Sequence, residues 1–524
     1  MKPSLLCLLA ASATAQVSYD RIRNAAAEPR NWLTYSRSYD SHRFSRLDQI
    51  TAANAHQLKP AWVYQARDTN KFEASPLAVD GVLYVSEPAG AVVALDGHTG
   101  RPLWEYRRNL PRDLRLCCGQ VNRGLAILGH LLFLGTLDAH LVALDARTGA
   151  VKWDVTVEDY KRGHSITVAP LAVKDKIIVG IAGGEYGVRG FIDAYQPETG
   201  KRLWRFYTVP GPGSEGNETW KGESWKTGAA TTWVTGSFDP DLNLIYWGTG
   251  NPGPDYDGDY RDGDNLYSDS VVALDAGTGN LKWHFQFTPH DVNDWDSNQV
   301  PVLADLEFRG RPRKLLLWAN RNGFYYVFDR VSGEFLQGQS FAKQTWAKGL
   351  DDRGRPIRVP GMITPKDGEL AVYPGVHGGT NWFSPSFNPL TNLFYVATRE
   401  EGSTFFAENG KYLPGEWFSA GGIRGIKGVE PSGSIQALDP LSGERKWQFP
   451  LQSPPWCGIL STAGGVVFGG TVEGYFLALD AKDGKPLWRF PCGGPIFANP
   501  VTFMVGDKQH VVIAAGNALF AFSI

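Results

Sequence analysis

Cysteine and methionine are scarce in this chain of 524 residues, which contains five cysteines and three methionines. No Cys-x2-Cys pair occurs, so the sequence argues against a structural zinc site. No Cys-x2-Cys-His occurs either, which excludes a covalently attached haem.

Excess charge is also missing, because the formal net charge is −2 and charged residues make up 20% of the chain. This balance argues against a basic stripe that binds nucleic acid and against a polybasic membrane surface. The partner predicted from the composition is therefore a small molecule. Beyond the N-terminus no apolar run approaches the roughly 18 residues that a membrane span needs, so no integral membrane segment is expected.

The N-terminus resembles a short secretory signal peptide. Lys2 precedes an apolar stretch from residue 5 to 11, and the small residues Ala13-Thr14-Ala15 stand before Gln16. The sequence therefore predicts a signal peptide at residues 1–15, export to a periplasm, and one mature domain at residues 16–524.

Seven copies of one sequence motif, approximately Ala-Leu-Asp-x3-Gly-x3-Trp, occur along the chain. The glycine always falls four residues after the Asp position, which Gln196 occupies in one copy. An apolar run, an Asp-x3-Gly turn and an aromatic strand together are typical of a hairpin with a left-handed glycine. The copies end at Trp104, Trp153, Trp204, Trp283, Gln337, Trp447 and Trp488.

A hairpin of this kind cannot bury its own face, so the repeats predict stacking, either radially in a propeller or linearly in a solenoid. The two chain ends supply an eighth unit, since residues 516–524 match an inner strand and residues 58–64 carry Trp62. We therefore predict an all-β, eight-bladed β-propeller in which tryptophans dock between blades. The alternative is a string of small β domains, but no linker separates the repeats.

Polar residues concentrate between the repeats in four segments: residues 116–125, 183–190, 246–254 and 288–299. Oxygen atoms of Glu185, Asn251, Asp294 and Asp296 suit a hard cation. Taken singly, each of these residues could equally serve a turn or a solvated loop. Adjacent Cys117 and Cys118 could be two thiols, or could form a strained vicinal disulfide in an oxidising compartment.

These segments resemble the pyrroloquinoline quinone (PQQ)-dependent alcohol dehydrogenases, over nearly all of the chain. CCGQVNRGLA, which begins at Cys117, is similar to the family's vicinal-cysteine segment, whose disulfide lies against the quinone. The resemblance implies that Arg123 binds a PQQ carboxylate. By the same motif matching Glu185 and Asn251 are metal ligands, and the remaining cofactor contacts are Glu73, Cys117, Cys118, Thr167, Thr231, Trp233, Arg321 and Asn381.

The loop TPHDVNDWDSN aligns without a gap to the family's catalytic stretch. This alignment makes Asp294 the catalytic base and a metal ligand, and makes Asp296 the extra carboxylate found in the lanthanide-dependent branch. The metal is therefore calcium or a lanthanide. Asn293 replaces the family's tryptophan, and a register shift of two would instead make Asp296 the base and Asn298 its neutral neighbour. Ala182 stands where relatives often have a serine that contacts the cofactor.

The resemblance implies hydride transfer from an alcohol's carbinol carbon to a quinone carbonyl carbon, with the metal as Lewis acid. The electron acceptor lies outside the chain, and the family indicates a cytochrome c. Parts of the aromatic segment 402–426 could form substrate walls or simply pack. Two other functions stay open: a soluble sugar or polyol dehydrogenase that uses PQQ, and a non-catalytic propeller scaffold in the cell envelope.

Overall fold

The computed structural model describes residues 17–366 and 368–524. The predicted signal peptide at residues 1–15 lies outside the described residues. Strands dominate, and the helices are short. The one α-helix in the described part is α1 (Tyr19–Arg23), and the 3-10 turns are Ala25–Ala27, Ala55–Gln57, Pro88–Gly90, Tyr160–Arg162, Gly184–Tyr186, Asn217–Thr219, Ser224–Thr227 and Gly258–Arg261.

The strands of the first half, in chain order, are β1 (Phe44–Ser45), β2 (Lys59–Gln65), β3 (Leu77–Val79), β4 (Val82–Glu87), β5 (Ala91–Asp96), β6 (Pro102–Arg107), β7 (Ala126–Leu128), β8 (Leu131–Gly135), β9 (His140–Asp145), β10 (Val151–Thr156), β11 (Leu171–Val173), β12 (Lys176–Gly180), β13 (Phe191–Tyr195), β14 (Arg202–Tyr207), β15 (Ser237–Asp239), β16 (Leu244–Gly248), β17 (Ser270–Asp275) and β18 (Leu281–Gln286).

The strands of the second half are β19 (Val302–Phe308), β20 (Arg311–Ala319), β21 (Phe324–Asp329), β22 (Phe335–Ser340), β23 (Ala347–Leu350), β24 (Pro356–Arg358), β25 (Glu369–Val372), β26 (Ser386–Asn388), β27 (Leu393–Glu400), β28 (Ser403–Ala407), β29 (Gly421–Gly425), β30 (Ser432–Leu438), β31 (Arg445–Leu451), β32 (Leu460–Thr462), β33 (Val466–Gly470), β34 (Tyr475–Asp480), β35 (Pro486–Pro491), β36 (Val501–Val505), β37 (Lys508–Ala515) and β38 (Ala518–Ser523).

Eight sheets of four or five strands are present in the described part of the chain. Five of them are built from four consecutive strands, such as β3-β4-β5-β6, and the other three also combine strands that lie apart in the sequence. In the sheet β3-β4-β5-β6, β3 is fully buried, whereas β6 alternates between exposed and partly buried residues. β3 therefore lies on the inside of the propeller and β6 on the outside. The all-β propeller class predicted from the repeats is confirmed.

The two chain ends close the ring, as the sequence predicts. β2 pairs antiparallel with β38, with Trp62 opposite Ala521, and joins the sheet β2-β38-β37-β36. This pairing builds one blade from both ends of the chain and so closes the ring of blades. The insertion between Gln337 and Trp447 adds two small sheets, β23-β24 and β25-β28-β29.

Six tryptophans, counting Trp62, dock on the turn of the next repeat, and Trp488 instead donates to the carbonyl of Leu58. The indole N–H of Trp104 donates to the carbonyl of Ala146 at 3.1 Å, and that of Trp153 donates to Pro197 at 2.8 Å. Gly149 in the first of these turns has a φ of +73°, and a Cβ atom there would lie 2.5 Å from the Trp104 ring. The turn glycine is therefore required both by its left-handed backbone and by the indole above it.

In the repeat that lacks a tryptophan, a tyrosine makes the docking contact. Gln337 takes the tryptophan position, and the hydroxyl of buried Tyr325 donates to the carbonyl of Pro440 at 2.9 Å. A Cβ atom on Gly443 would lie 2.7 Å from the Tyr325 ring. Tyr325 therefore replaces the docking indole in both its hydrogen bond and its packing.

Replacing Tyr325 by phenylalanine tests this replacement. The variant keeps the ring but leaves the buried Pro440 carbonyl without this donor, which costs about 1–3 kcal/mol in the free energy of unfolding. Urea unfolding measures the change. The control is Tyr475→Phe, since Tyr475 is 38% exposed. Equal stability of the two variants would contradict a docking role for the Tyr325 hydroxyl.

Candidate active site

A cavity of about 550 Å³ lies at one end of the inner strands. Each of the eight sheets of four or five strands contributes to its lining a residue that stands three to six positions before an inner strand of that sheet. These residues are Glu73 before β3, Arg123 before β7, Thr167 before β11, Trp233 before β15, Asp296 before β19, Asn381 before β26, Trp456 before β32 and Phe497 before β36. The recurring position places the cavity where the inner strands converge.

All the candidate residues named from the sequence line this one cavity. They come from segments far apart in the chain, and the propeller brings them together. They are Glu73, Cys117, Cys118, Arg123, Thr167, Glu185, Thr231, Trp233, Asn251, Asp294, Asp296, Arg321 and Asn381.

One wall of the cavity is aromatic and cationic. The guanidinium carbon of Arg123 lies 4.7 Å from the Trp233 ring centroid and 4.6 Å from that of Trp382. Arg123 also donates to the Thr167 hydroxyl at 2.9 Å and pairs with Glu73 at 2.8 Å. Its buried Nε has no hydrogen-bond partner among the described residues. This wall therefore suits a flat ligand that carries negative charge.

Cys117 and Cys118 form a disulfide in the structure, so the vicinal pair is not two free thiols. Both cysteines are exposed and line the cavity. Their sulfur atoms and a carboxylate oxygen of Glu185 all lie within 4.8 Å of one another. The disulfide therefore lies beside the acidic part of the cavity.

The acidic part of the cavity is built around Arg321, which is 5% exposed. Arg321 donates to Asp296 and lies 3.5 Å from Asp294. Its other donors reach the carbonyl of Val376 at 2.6 and 3.1 Å, which fixes the guanidinium in place. The second oxygen of Asp296 accepts from the Asn251 main-chain N–H at 3.1 Å and from the Trp233 indole at 3.3 Å.

Crowding of carboxylates changes their acidity. Burial, with a smaller contribution from the charge of Asp296, raises the pKa of the Glu185 carboxyl to about 7, while its own backbone N–H and Arg321 oppose the shift. Burial likewise raises the pKa of Asp294 well above its usual range, against the opposing charge of Arg321 and with help from Asp296. A hard cation bound by oxygen atoms would offset this repulsion, so the donor set fits calcium or a lanthanide.

The conformation of residues 291–296 favours the gap-free alignment of the catalytic loop. Trp295 is fully buried and donates its indole N–H to Gly375 at 3.0 Å. The aspartates on either side of it, Asp294 and Asp296, both line the cavity. Asn298 is not part of that lining; it donates to the Thr231 carbonyl at 3.2 Å and is 1% exposed. The alternative alignment, shifted by two residues, requires Asn298 in the site. The structure therefore favours the gap-free alignment over this alternative.

Several lining residues were not named as candidates from the sequence. Ser165 lines the cavity and exchanges backbone hydrogen bonds with Ala182, so a serine is present beside the position where relatives have theirs. Of the aromatic segment 402–426 the lining includes only Trp417, while Phe405 is fully buried in the core. The other additions include Lys71, Asp255, Tyr256, His377, Trp382 and Phe497.

Asp255 is the addition with the clearest sequence signal. It begins a run of aspartates, DYDGDYRDGD, that follows the Asn251 motif directly. An acidic run is typical of a solvated loop, and only the fold shows that its first member is buried in the cavity.

Within residues 17–366 and 368–524, no helix is long and apolar enough to cross a bilayer.

The fold and site together define a β-propeller with a cavity for a flat anionic ligand and a hard cation. The family model described as glucose/ethanol/alcohol dehydrogenase, beta-propeller domain, which carries the name PQQ, matches residues 32–338, more than half of the chain. The chain belongs to this family and is a PQQ-dependent alcohol dehydrogenase. A second model, for the outer membrane protein assembly factor BamB, matches residues 431–524.

Relatives extend the match to the whole chain. Quinoprotein alcohol dehydrogenase PedH of Pseudomonas putida is 40% identical over 97% of this chain and 90% of its own length. The lanthanide-dependent methanol dehydrogenase of Methylacidiphilum fumariolicum is 35% identical over 95% of this chain and 86% of its own. A solved structure of a europium-containing methanol dehydrogenase has a TM-score of 0.92 at 32% identity, covering 96% of this chain and all (100%) of that chain.

Proposed function

We propose that this enzyme oxidises a small alcohol to its aldehyde in the cavity, with PQQ and one metal ion bound. The observation that carries the proposal is the convergence on one cavity of the Arg123 wall and the oxygen donors around Arg321. Bound PQQ would supply the two-electron acceptor for the alcohol's hydride. The protein would supply orientation, charge and a proton acceptor.

The aromatic and cationic wall is proposed to hold the cofactor. Trp233 and the Cys117–Cys118 disulfide both line the cavity, and we propose that they sandwich the planar ring system. Arg123 would pair with a ligand carboxylate through the Nε that lacks a partner in the structure. Glu73, Thr167, Thr231 and Asn381 would supply the remaining polar contacts.

Asp294 is proposed to be the general base that accepts the hydroxyl proton of the alcohol. It is 25% exposed, which leaves its carboxylate accessible from the cavity. Arg321, held by the Val376 carbonyl, would stabilise negative charge on an oxygen in front of it. Glu185, Asn251, Asp294 and Asp296 would hold the metal ion, which serves as a Lewis acid.

We propose that the metal ion is trivalent. Three carboxylates, those of Glu185, Asp294 and Asp296, surround a single arginine. A trivalent ion gains more than calcium does from the third carboxylate. The relatives named as lanthanide-dependent and europium-containing support this choice.

Comparing cations tests this proposal. The protein is reconstituted with PQQ and either calcium or a light lanthanide, and dye-linked turnover of short alcohols is measured. We expect turnover with the lanthanide, and a loss of lanthanide-dependent turnover of roughly 10- to 100-fold in Asp296→Ala. Turnover with calcium alone that survives Asp296→Ala would contradict the trivalent site while leaving the alcohol dehydrogenase in place.

The electrons are proposed to leave to an external cytochrome c in the periplasm. One relative, of Thauera butanivorans, is named 1-butanol dehydrogenase (cytochrome c) and is 38% identical over 93% of this chain and 74% of its own. The signal-like residues at the N-terminus support export.

A further inference from the structure

We infer that Asp255 is a positioning residue, which orients the side-chain amide of Asn251 for the cation. The inference rests on the proposed function, because it concerns the same cation site. Asp255 lines the cavity and is 4% exposed. Its Oδ1 accepts a hydrogen bond from Asn251 Nδ2 at 2.7 Å. No other carboxylate in the described chain accepts from this amide nitrogen.

The hydrogen bond to Asp255 fixes which way the amide faces. The NH2 group of Asn251 donates to the Asp255 carboxyl oxygen, so the nitrogen end of the amide is the part that faces Asp255. Both side-chain hydrogen bonds of Asn251 use this nitrogen, the second reaching the Pro252 carbonyl at 3.5 Å. The carbonyl oxygen is thereby left for a cation, and oxygen is the ligand that hard cations take.

Asn251 is held at a second point as well. Its main-chain N–H donates to Asp296 Oδ1 at 3.1 Å. Two carboxylates therefore fix this residue, one through the backbone and the other through the amide. With the backbone anchored, the Asp255 hydrogen bond is what selects between the two orientations of the amide.

The backbone around Asp255 is itself clamped. Fully buried Arg261 donates to the carbonyls of Pro254 at 3.0 Å and Asp255 at 3.1 Å. The next residue, Tyr256, donates its main-chain N–H to the Ser419 carbonyl at 3.0 Å. The Asp255 carboxylate is therefore presented by a rigid loop, which is what a residue that orients a metal ligand requires.

Terbium luminescence tests the inference without any need for turnover. Terbium is titrated into the purified full chain, and the excited-state lifetimes in H2O and D2O report how many waters coordinate the ion. In Asp255→Ala we expect the terbium affinity to fall roughly 10- to 100-fold. The number of coordinated waters should rise, because water replaces the Asn251 oxygen.

Two further variants make the test specific. Asp255→Asn keeps an oxygen that can accept from Asn251, so it should restore the wild-type number of coordinated waters. Asp257→Ala is the matched control, because Asp257 lies in the same loop and is buried but accepts from Tyr260 and Gly410 instead. It should bind terbium like the wild type.

Three outcomes would overturn the inference. Wild-type affinity and hydration in Asp255→Ala would show that Asp255 does not orient the ligand. Equal hydration changes in Asp255→Ala and Asp255→Asn would show that only the charge matters. Failure of the wild-type protein to bind terbium would reject the proposed cation site itself, which separates that failure from the first two.

Discussion

Replacing Asp294 by alanine is expected to lower alcohol turnover roughly 100- to 10,000-fold, the range that a positioned general base contributes. Arg321, 3.5 Å away, would remain fixed by the Val376 carbonyl, and the Arg123 wall does not contact Asp294. PQQ binding should therefore survive. The measurements are kcat in the dye-linked assay and the affinity for PQQ from quenching of tryptophan fluorescence.

Asp262→Ala is the control for this experiment, since it removes an exposed aspartate from the nearby loop. It should leave kcat unchanged. Full turnover in Asp294→Ala combined with loss in Asp296→Ala would contradict the assignment and make Asp296 the base.

Replacing Arg123 by leucine is expected to weaken PQQ binding at least about 30-fold. The change removes the cation, held between two indoles, that is proposed to pair with a PQQ carboxylate. Truncating one member of a buried charge pair costs about 2–5 kcal/mol. The same change leaves buried Glu73 without its ion-pair partner, which lowers the stability of the protein. A fluorescence titration with PQQ measures the dissociation constant.

The double variant Arg123→Leu/Glu73→Gln separates the two contributions. Removing the unpaired carboxylate should recover part of the stability that Arg123→Leu loses, but not the affinity for PQQ. Arg115→Leu is the control, because Arg115 lies on the neighbouring loop and is 53% exposed. Unchanged PQQ affinity in Arg123→Leu would contradict the proposed cofactor contact.

The sequence predicted the propeller because its repeat carries the docking chemistry in a fixed order. The turn glycine and the tryptophan that covers it recur at constant spacing, so the contact between Trp104 and Gly149 could be anticipated. The substitute at Gln337 could not, because Tyr325 belongs to a different strand from the residue it replaces. Such a replacement shows only when strand register is known.

Candidate residues that stand in recognisable motifs could be predicted from the sequence. Residues whose place in the site depends on tertiary packing could not. Asp294 and Asp296 stand in a recognisable loop, yet buried Trp295 between them is what brings both into the cavity lining. In the sequence, Asp255 is one member of an acidic run. Its loop is held in place by hydrogen bonds from Arg261 to the carbonyls of Pro254 and Asp255, which the sequence does not show. In the aromatic segment 402–426, Trp417 lines the cavity whereas Phe405 packs in the core. The composition of the segment does not distinguish these two residues.

An anaerobic single turnover tests the central claim, which is that the cavity binds PQQ and reduces it with electrons from an alcohol. The protein is loaded with PQQ and a light lanthanide, mixed with ethanol without any dye, and followed by absorbance and by aldehyde assay. The account predicts loss of the oxidised-quinone spectrum and formation of aldehyde in an amount equal to the bound PQQ. Bound PQQ that stays oxidised in the presence of alcohol, with no aldehyde formed, would contradict it.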